Sequence, residues 1–182
     1  MSDAYEIPVD DPLKAVWLDT SDFGNAKRVV IVAAGRLLWV DDLQMWAWYD
    51  GRRYSVERGA IEAQRVAHAV IDHIDREAIA LADLLGGSEA AASKAVKAAF
   101  GDWCDLDKAT KRVETLRGHS VKSGSAGMTA GMLKQARSLL TARLDEFDTD
   151  PLAYNCRNGT LRFVEDSKAP GGWRVTFREH DP

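Results

Sequence analysis

The chain has 182 residues, a formal net charge of -4 and 46% hydrophobic residues, enough for one domain with a real core or two small ones, and too acidic for a surface that is basic all over. No run of about 18 apolar residues occurs, which excludes a membrane-spanning helix. The acidic start MSDAYEIPVDDP lacks the apolar stretch of a secretory signal, and Cys104 and Cys156 have no metal-ligand spacing, so a cytoplasmic protein with free thiols is the expectation.

Residues 1–20 carry Pro8, Pro12 and many acids and read as an arm or linker, with Ala15, Val16, Trp17 and Leu18 as the part that docks. Ser21 and Asp22 are N-cap residue types and predict a helix from there to about Gly35, with Asn25, Lys27 and Arg28 on its wet side. Residues 36–40, 45–49 and about 53–56 predict an antiparallel meander packed by Trp39, Trp46 and Trp48, with a turn at Asp50-Gly51. An exposed Trp pair there can stack unpaired bases, but large aromatics are ordinary strand packing. A long helix follows over about 60–85, because Val66, Val70, Ile74, Ala78, Leu81 and Leu85 recur at helical spacing. Gly86-Gly87 ends it, and Ser88 caps a short Ala-rich helix to about Phe100.

After a break carrying Trp103 and Cys104, the stripe Leu106, Ala109, Val113 and Leu116 predicts another amphipathic helix. Gly118 and the SGSAG run at 123–127 read as a loop, and residues 128–140 as a last helix. Near the C-terminus, Asn158-Gly159 lies between two apolar runs. It predicts a β-hairpin with a type I′ turn, in which both central residues need positive φ. The fold class is therefore mainly helical α+β: helix and N-terminal meander over 21–57, a helical core over 58–144, and a C-terminal β-hairpin or meander over 150–180.

Catalytic patterns are sparse. The phosphate-binding pattern GxxxxGK[ST] does not occur. His68 and His73 are five apart and fall on different helix faces, unlike a ligand pair. His119 and His180 have no obvious partners, and Asp72 with Asp75 reads as a solvated acidic face. Ser123 and Ser125 lie without a recognisable base, and both cysteines read as small apolar fillers. Metal and catalytic sites are accordingly expected to be absent.

The charge distribution is more informative. From Lys108 to Arg143, eight Lys/Arg face one acid, Glu114, a local +7 that leaves -11 elsewhere. Lys108, Lys111, Arg112, Arg117, Lys122, Lys134 and Arg137 therefore form the candidate nucleic-acid-binding set. Two basic helices flanking a Ser/Gly loop with bare amides suit a phosphate backbone. The competing reading is a solvated face that balances the acidic run at 145–150.

The order of features is specific: GNAKR at 24–28, WAWYDGRRY at 46–54, a long helix, a basic helix, GMLKQARSLL at 131–140, then FDTDPLAYNCRNGTLRF and REHDP. This resembles the domain that precedes the superfamily 3 helicase in phage and plasmid primase–helicases, the family that includes the poxvirus replication NTPase. The family pattern falls on Asp148, Asp150, Pro151, Leu152, Asn155, Asn158, Gly159, Thr160 and Leu161, then His180, Asp181 and Pro182. The resemblance runs from about Thr20 to Pro182. GHSVKSGSAGM is less uniformly basic and serine-rich than the family's loop-helix region.

The resemblance implies a non-catalytic DNA-replication module that connects to the helicase and primase parts of its parent and aids ring assembly or DNA guidance. ATP and Mg then belong only to the helicase, which in the family lies beyond the position of Pro182, so the chain looks like an excised module or truncated product. DNA, the helicase and primase parts and a second copy of the chain are the expected partners; a membrane is not. Two other readings stay open: a protein-interaction or oligomerisation domain without DNA contact, and a stand-alone helical DNA-binding regulator.

Overall fold

The computed structural model describes residues 11–156 and 158–179. The architecture is mainly helical α+β, as the sequence predicts. Among the described residues it has five α-helices and two small sheets. The chain divides into two compact units, one of residues 11–34 and 64–139, the other of residues 35–63 and 140–179.

The first unit is helical. Helix α1 spans Asp22–Ala33; Ser21 caps it by accepting from the Gly24 N–H at 3.2 Å. Helices α2 (Gly59–Leu84), α3 (Glu89–Phe100), α4 (Leu106–Ser123) and α5 (Ala126–Leu139) follow. The predicted α2 stripe is the core: Val66, Val70, Ile74, Ala78 and Leu81 are buried. Val29 of α1, Val96 of α3, Leu116 of α4 and Met132 of α5 are buried as well. Helices α1 and α5 approach so closely that a Cβ on Gly131 would lie 2.3 Å from the Asp22 carboxylate. Ala15 and Val16 are buried as well.

Two expectations fail here. Asn25 and Arg28 are not on a wet face; both are fully buried. Their partners lie 98 and 49 residues away, on α4 and α2, so helical periodicity alone cannot reveal them. The SGSAG loop also shrinks to Gly124 and Ser125. Helix α4 runs through Gly118, whose α-carbon faces open space, so the glycine costs only about 1 kcal/mol in helix propensity. Ser123 is buried inside that helix, and the Ser125 hydroxyl oxygen instead accepts from the Met128 N–H at the start of α5.

The second unit holds both sheets. Strands β1 (Leu37–Val40), β2 (Met45–Tyr49) and β3 (Tyr54–Ser55) form the predicted meander, and β4 (Thr141–Ala142) adds to β1 in parallel, in the order β3-β2-β1-β4. Trp39 and Trp46 are cross-strand partners with edge-to-face rings 5.2 Å apart, both buried. Trp48 is half-exposed, with the Arg36 guanidinium 4.6 Å from its ring. The second sheet is the antiparallel order β5 (Ala153–Asn155), β6 (Gly159–Glu165), β7 (Trp173–Glu179).

The hairpin β5–β6 forms, but not through a turn with Gly159 at its centre. The Cys156 N–H donates to the Gly159 carbonyl at 2.8 Å, so Gly159 already lies in the ladder, opposite Glu179 of β7. It is not among the positive-φ residues. The glycine is there for space: a Cβ would sit 2.4 Å from both the Phe177 ring and the Arg178 carbonyl.

Candidate nucleic-acid interface

The sequence-predicted cations all lie on α4 and α5, but their environments differ. At about 100° per residue, Lys108, Lys111 and Lys122 project within roughly 60° of one another round α4, on the side away from the buried stripe. Arg117 projects beside that stripe, away from the three lysines, and all four are exposed. Lys134 and Arg137, three apart on α5, are exposed neighbours.

Several of these charges are already engaged. Lys111 pairs with Asp107 at 2.6 Å, and that carboxylate holds its ammonium above the ordinary lysine range. Lys108 Nζ lies 4.2 Å from the Trp103 ring and donates to the Trp103 carbonyl at 3.4 Å. Arg112 is half-buried. Its guanidinium donates to the carbonyls of Val16 and Leu18 and lies 5.7 Å from the Trp17 ring. Arg112 therefore anchors the 15–18 segment to α4 and does not present its fork to solvent. Arg117, Lys122 and Lys134 have no ion pair among the described residues.

Beneath these cations lies a buried polar network. Asn25 Nδ2 donates to Ser123 Oγ at 3.0 Å, and His119 Nε2 lies 2.8 Å from Asn25 Oδ1 and 3.3 Å from Ser123 Oγ. Burial, followed by the charges of Arg28 and Arg112, pushes His119 down to about 4, so the ring is neutral. Both contacts use the same ring nitrogen and all three side chains are buried. The trio is thus a closed structural network and offers no accessible nucleophile. A second network joins Arg28 to Glu77 by two bonds of 2.7 Å, with further donations to the Asp19, Ala15 and Leu18 carbonyls.

The C-terminal pattern residues build the hairpin. Asp150 accepts from the Leu152 N–H at 3.0 Å and from Arg162 Nε at 2.7 Å; these bonds, Arg162 first, hold its carboxyl below the usual carboxylate range. Asp148 is exposed at φ 51°. Asn155 Nδ2 donates to the Arg52 carbonyl at 2.9 Å, linking the WYDGRRY segment to the hairpin within the second unit. Thr160 pairs with Asn155 and Arg178, and Leu161 with Tyr154 and Phe177. His180, Asp181 and Pro182 lie outside the described residues.

The sequence did not signal a groove of about 950 Å³ in this unit, lined by Tyr49, Arg52, Arg53, Tyr54, Phe147 and Asn155 among others. Its arginines are offset by Asp50, Glu57 and Asp148 on the same walls, so it has no anion-attracting excess. Among the described residues no group of three or more His, Cys, Asp or Glu is placed to hold a metal, and no helix is long and apolar enough to cross a membrane.

No curated protein and no solved structure matches this chain. A family model, described as D5 N terminal like, matches residues 26–182. That span takes in most of α1, both sheets and the four later helices. The chain belongs to the D5 N-terminal-like family, the N-terminal domain of D5-like phage and poxvirus primase–helicase proteins.

Proposed function

We propose that residues 21–182 act as one non-catalytic linking domain of a DNA-replication protein. It joins a superfamily 3 helicase of phage or plasmid type and either aids assembly of the helicase ring or guides DNA toward it. ATP and Mg serve the helicase part, any primase lies in the parent, and the setting is the cytoplasm. The DNA half of this reading rests on one observation: the exposed cations of α4 and α5 are concentrated on an otherwise acidic chain. Lys108, Lys111, Arg117, Lys122, Lys134 and Arg137 are the phosphate-contacting candidates, whereas Arg112 is a structural anchor.

Fluorescence anisotropy with labelled single- and double-stranded DNA, titrated with salt, tests this. The expected result is an affinity that falls linearly in log–log form, by about 0.9 per duplex phosphate neutralised. Absent or salt-independent binding defeats the DNA half. A second reading, a protein-interaction domain without DNA contact, is favoured by a different observation: the exposed apolar face of the C-terminal sheet.

A further inference from the structure

Strand β6 pairs Leu161 with Phe177, Phe163 with Val175 and Glu165 with Trp173 of β7, while Tyr154 of β5 pairs with Leu161. The Leu152 carbonyl accepts from the Phe163 N–H at 2.9 Å, which continues the ladder. Cross-strand partners share a face. One face therefore carries Leu152, Tyr154, Phe163, Trp173, Val175 and Phe177, and every one of these is exposed, from 37% for Phe163 to 59% for Tyr154. The other face carries Thr160, Arg162, Arg174, Thr176 and Arg178. The sheet is amphipathic with its apolar side uncovered. That inverts the usual arrangement, in which an antiparallel sheet packs its apolar face on a core.

We propose that this face is an isologous interface with a second copy of the chain, the two sheets stacked apolar face to apolar face. The area supports that occupant. With about 150–250 Å² for each fully exposed aromatic side chain, the six side chains leave on the order of 500 Å² of apolar surface open. A standard interface removes about 800 Å² from each partner, and about 65% of a homodimer interface is apolar, so roughly 520 Å² is needed. The surface shape also fits, because sheets stack about 10 Å apart at about 30° with interdigitating side chains. Glu165 and Glu179 stand at opposite ends of this face and, among the described residues, no cation stands within it, which disfavours DNA or an anionic membrane there. Such an interface closes at two copies; a ring would need another surface. The proposal is independent of DNA binding by α4 and α5.

Sedimentation velocity on the whole chain over about 1–100 µM tests it, a range that brackets a micromolar dimer. The wild type is expected to pass from monomer to dimer. Val175→Lys is expected to stay monomeric at every concentration, and Arg174→Ser, on the opposite face, to dimerise like the wild type. Mixing Val175→Lys with Val175→Glu chains is expected to give more dimer than either variant alone, since opposite charges within one interface attract where like charges repel. Circular dichroism and the thermal midpoint report whether each variant is folded. If Val175→Lys fails to fold, Tyr154→Glu takes its place at the most exposed position of the face. A wild type that stays monomeric throughout, or a folded face variant that dimerises like the wild type, overturns the proposal. Equal loss of dimer in the face variant and Arg174→Ser also overturns it.

Discussion

The Arg28 guanidinium and the Glu77 carboxylate meet through two bonds of 2.7 Å, and neither side chain has any solvent exposure. This pair joins α1 to α2, and Arg28 donates further to the carbonyls of Ala15, Leu18 and Asp19. Removing one partner leaves the other charge buried. Arg28→Met or Glu77→Leu alone should therefore cost about 3–5 kcal/mol, measured by urea denaturation. The double variant should recover only part of that loss, because it removes both buried charges but leaves the Asp19, Ala15 and Leu18 carbonyls without the Arg28 donors.

Two buried histidines make stability depend on pH. His73 and His119 are both held down to about 4, chiefly by burial and then by neighbouring arginines. Their ordinary value is 6.5, so between 6.5 and 4 the unfolded chain binds protons that the folded chain does not. The stability they confer is complete above pH 6.5 and lost as pH falls toward 4. Each histidine gives up at most about 1.4 kcal/mol for every tenfold rise in proton concentration. Glu77, pushed up by burial against the pull of Arg28, has the opposite sign just above its ordinary 4.5 and blunts the lower end. Urea midpoints measured across this range should fall with acid, and His119→Gln should flatten the profile.

Gly159→Ala tests the close approach in the terminal sheet. The added methyl would overlap the Phe177 ring and the Arg178 carbonyl. A loss of about 1–3 kcal/mol is expected from overpacking. The same substitution at Gly118, where nothing lies within 4 Å, should instead gain up to about 1 kcal/mol, because alanine is the better helix former. Chemical denaturation of the two variants side by side distinguishes these outcomes.

Arginine and lysine on α4 should separate cleanly in function. Lys122→Ala should lower the salt slope of duplex DNA binding by about 0.9 and change stability by less than about 0.5 kcal/mol. Arg112→Ala removes the donors to the Val16 and Leu18 carbonyls. It should cost about 1–3 kcal/mol and leave the slope nearly unchanged. The comparison needs only anisotropy and a denaturation curve for each variant.

Much of this fold was legible in the sequence because its signals are local. The α2 stripe, the Ser21 and Ser88 caps and the Trp39–Trp46 meander follow from periodicity and capping chemistry. What escaped depends on distant partners. Asn25 and Arg28 are polar and read as wet until α4 and α2 are placed over them. Two-residue β4 is too short to leave a pattern and exists only because β1 offers it an edge. Gly159 carries a turn signature, yet β7 determines its role. The basic set was legible as composition. Which cations face solvent was not, since Arg112 is taken up by the Val16 and Leu18 carbonyls, 96 and 94 residues away in the chain.

The short meander and the β4 strand have a further consequence for the order of folding. Trp39 pairs with Thr141, and the Leu144 N–H reaches Asp42 across 102 residues of chain. Closing a loop of that length from a flexible chain costs about 4 kcal/mol, from a cost of (3/2)RT ln n, for a parallel contact only two residues long. Helices α2 to α5 are instead built from i to i+4 bonds that form early and need no such closure. This sheet is therefore a high-contact-order step, as is the packing of α1 on α5. Its β4 edge should be the last backbone to gain protection from hydrogen exchange during refolding, well after the amides of α2.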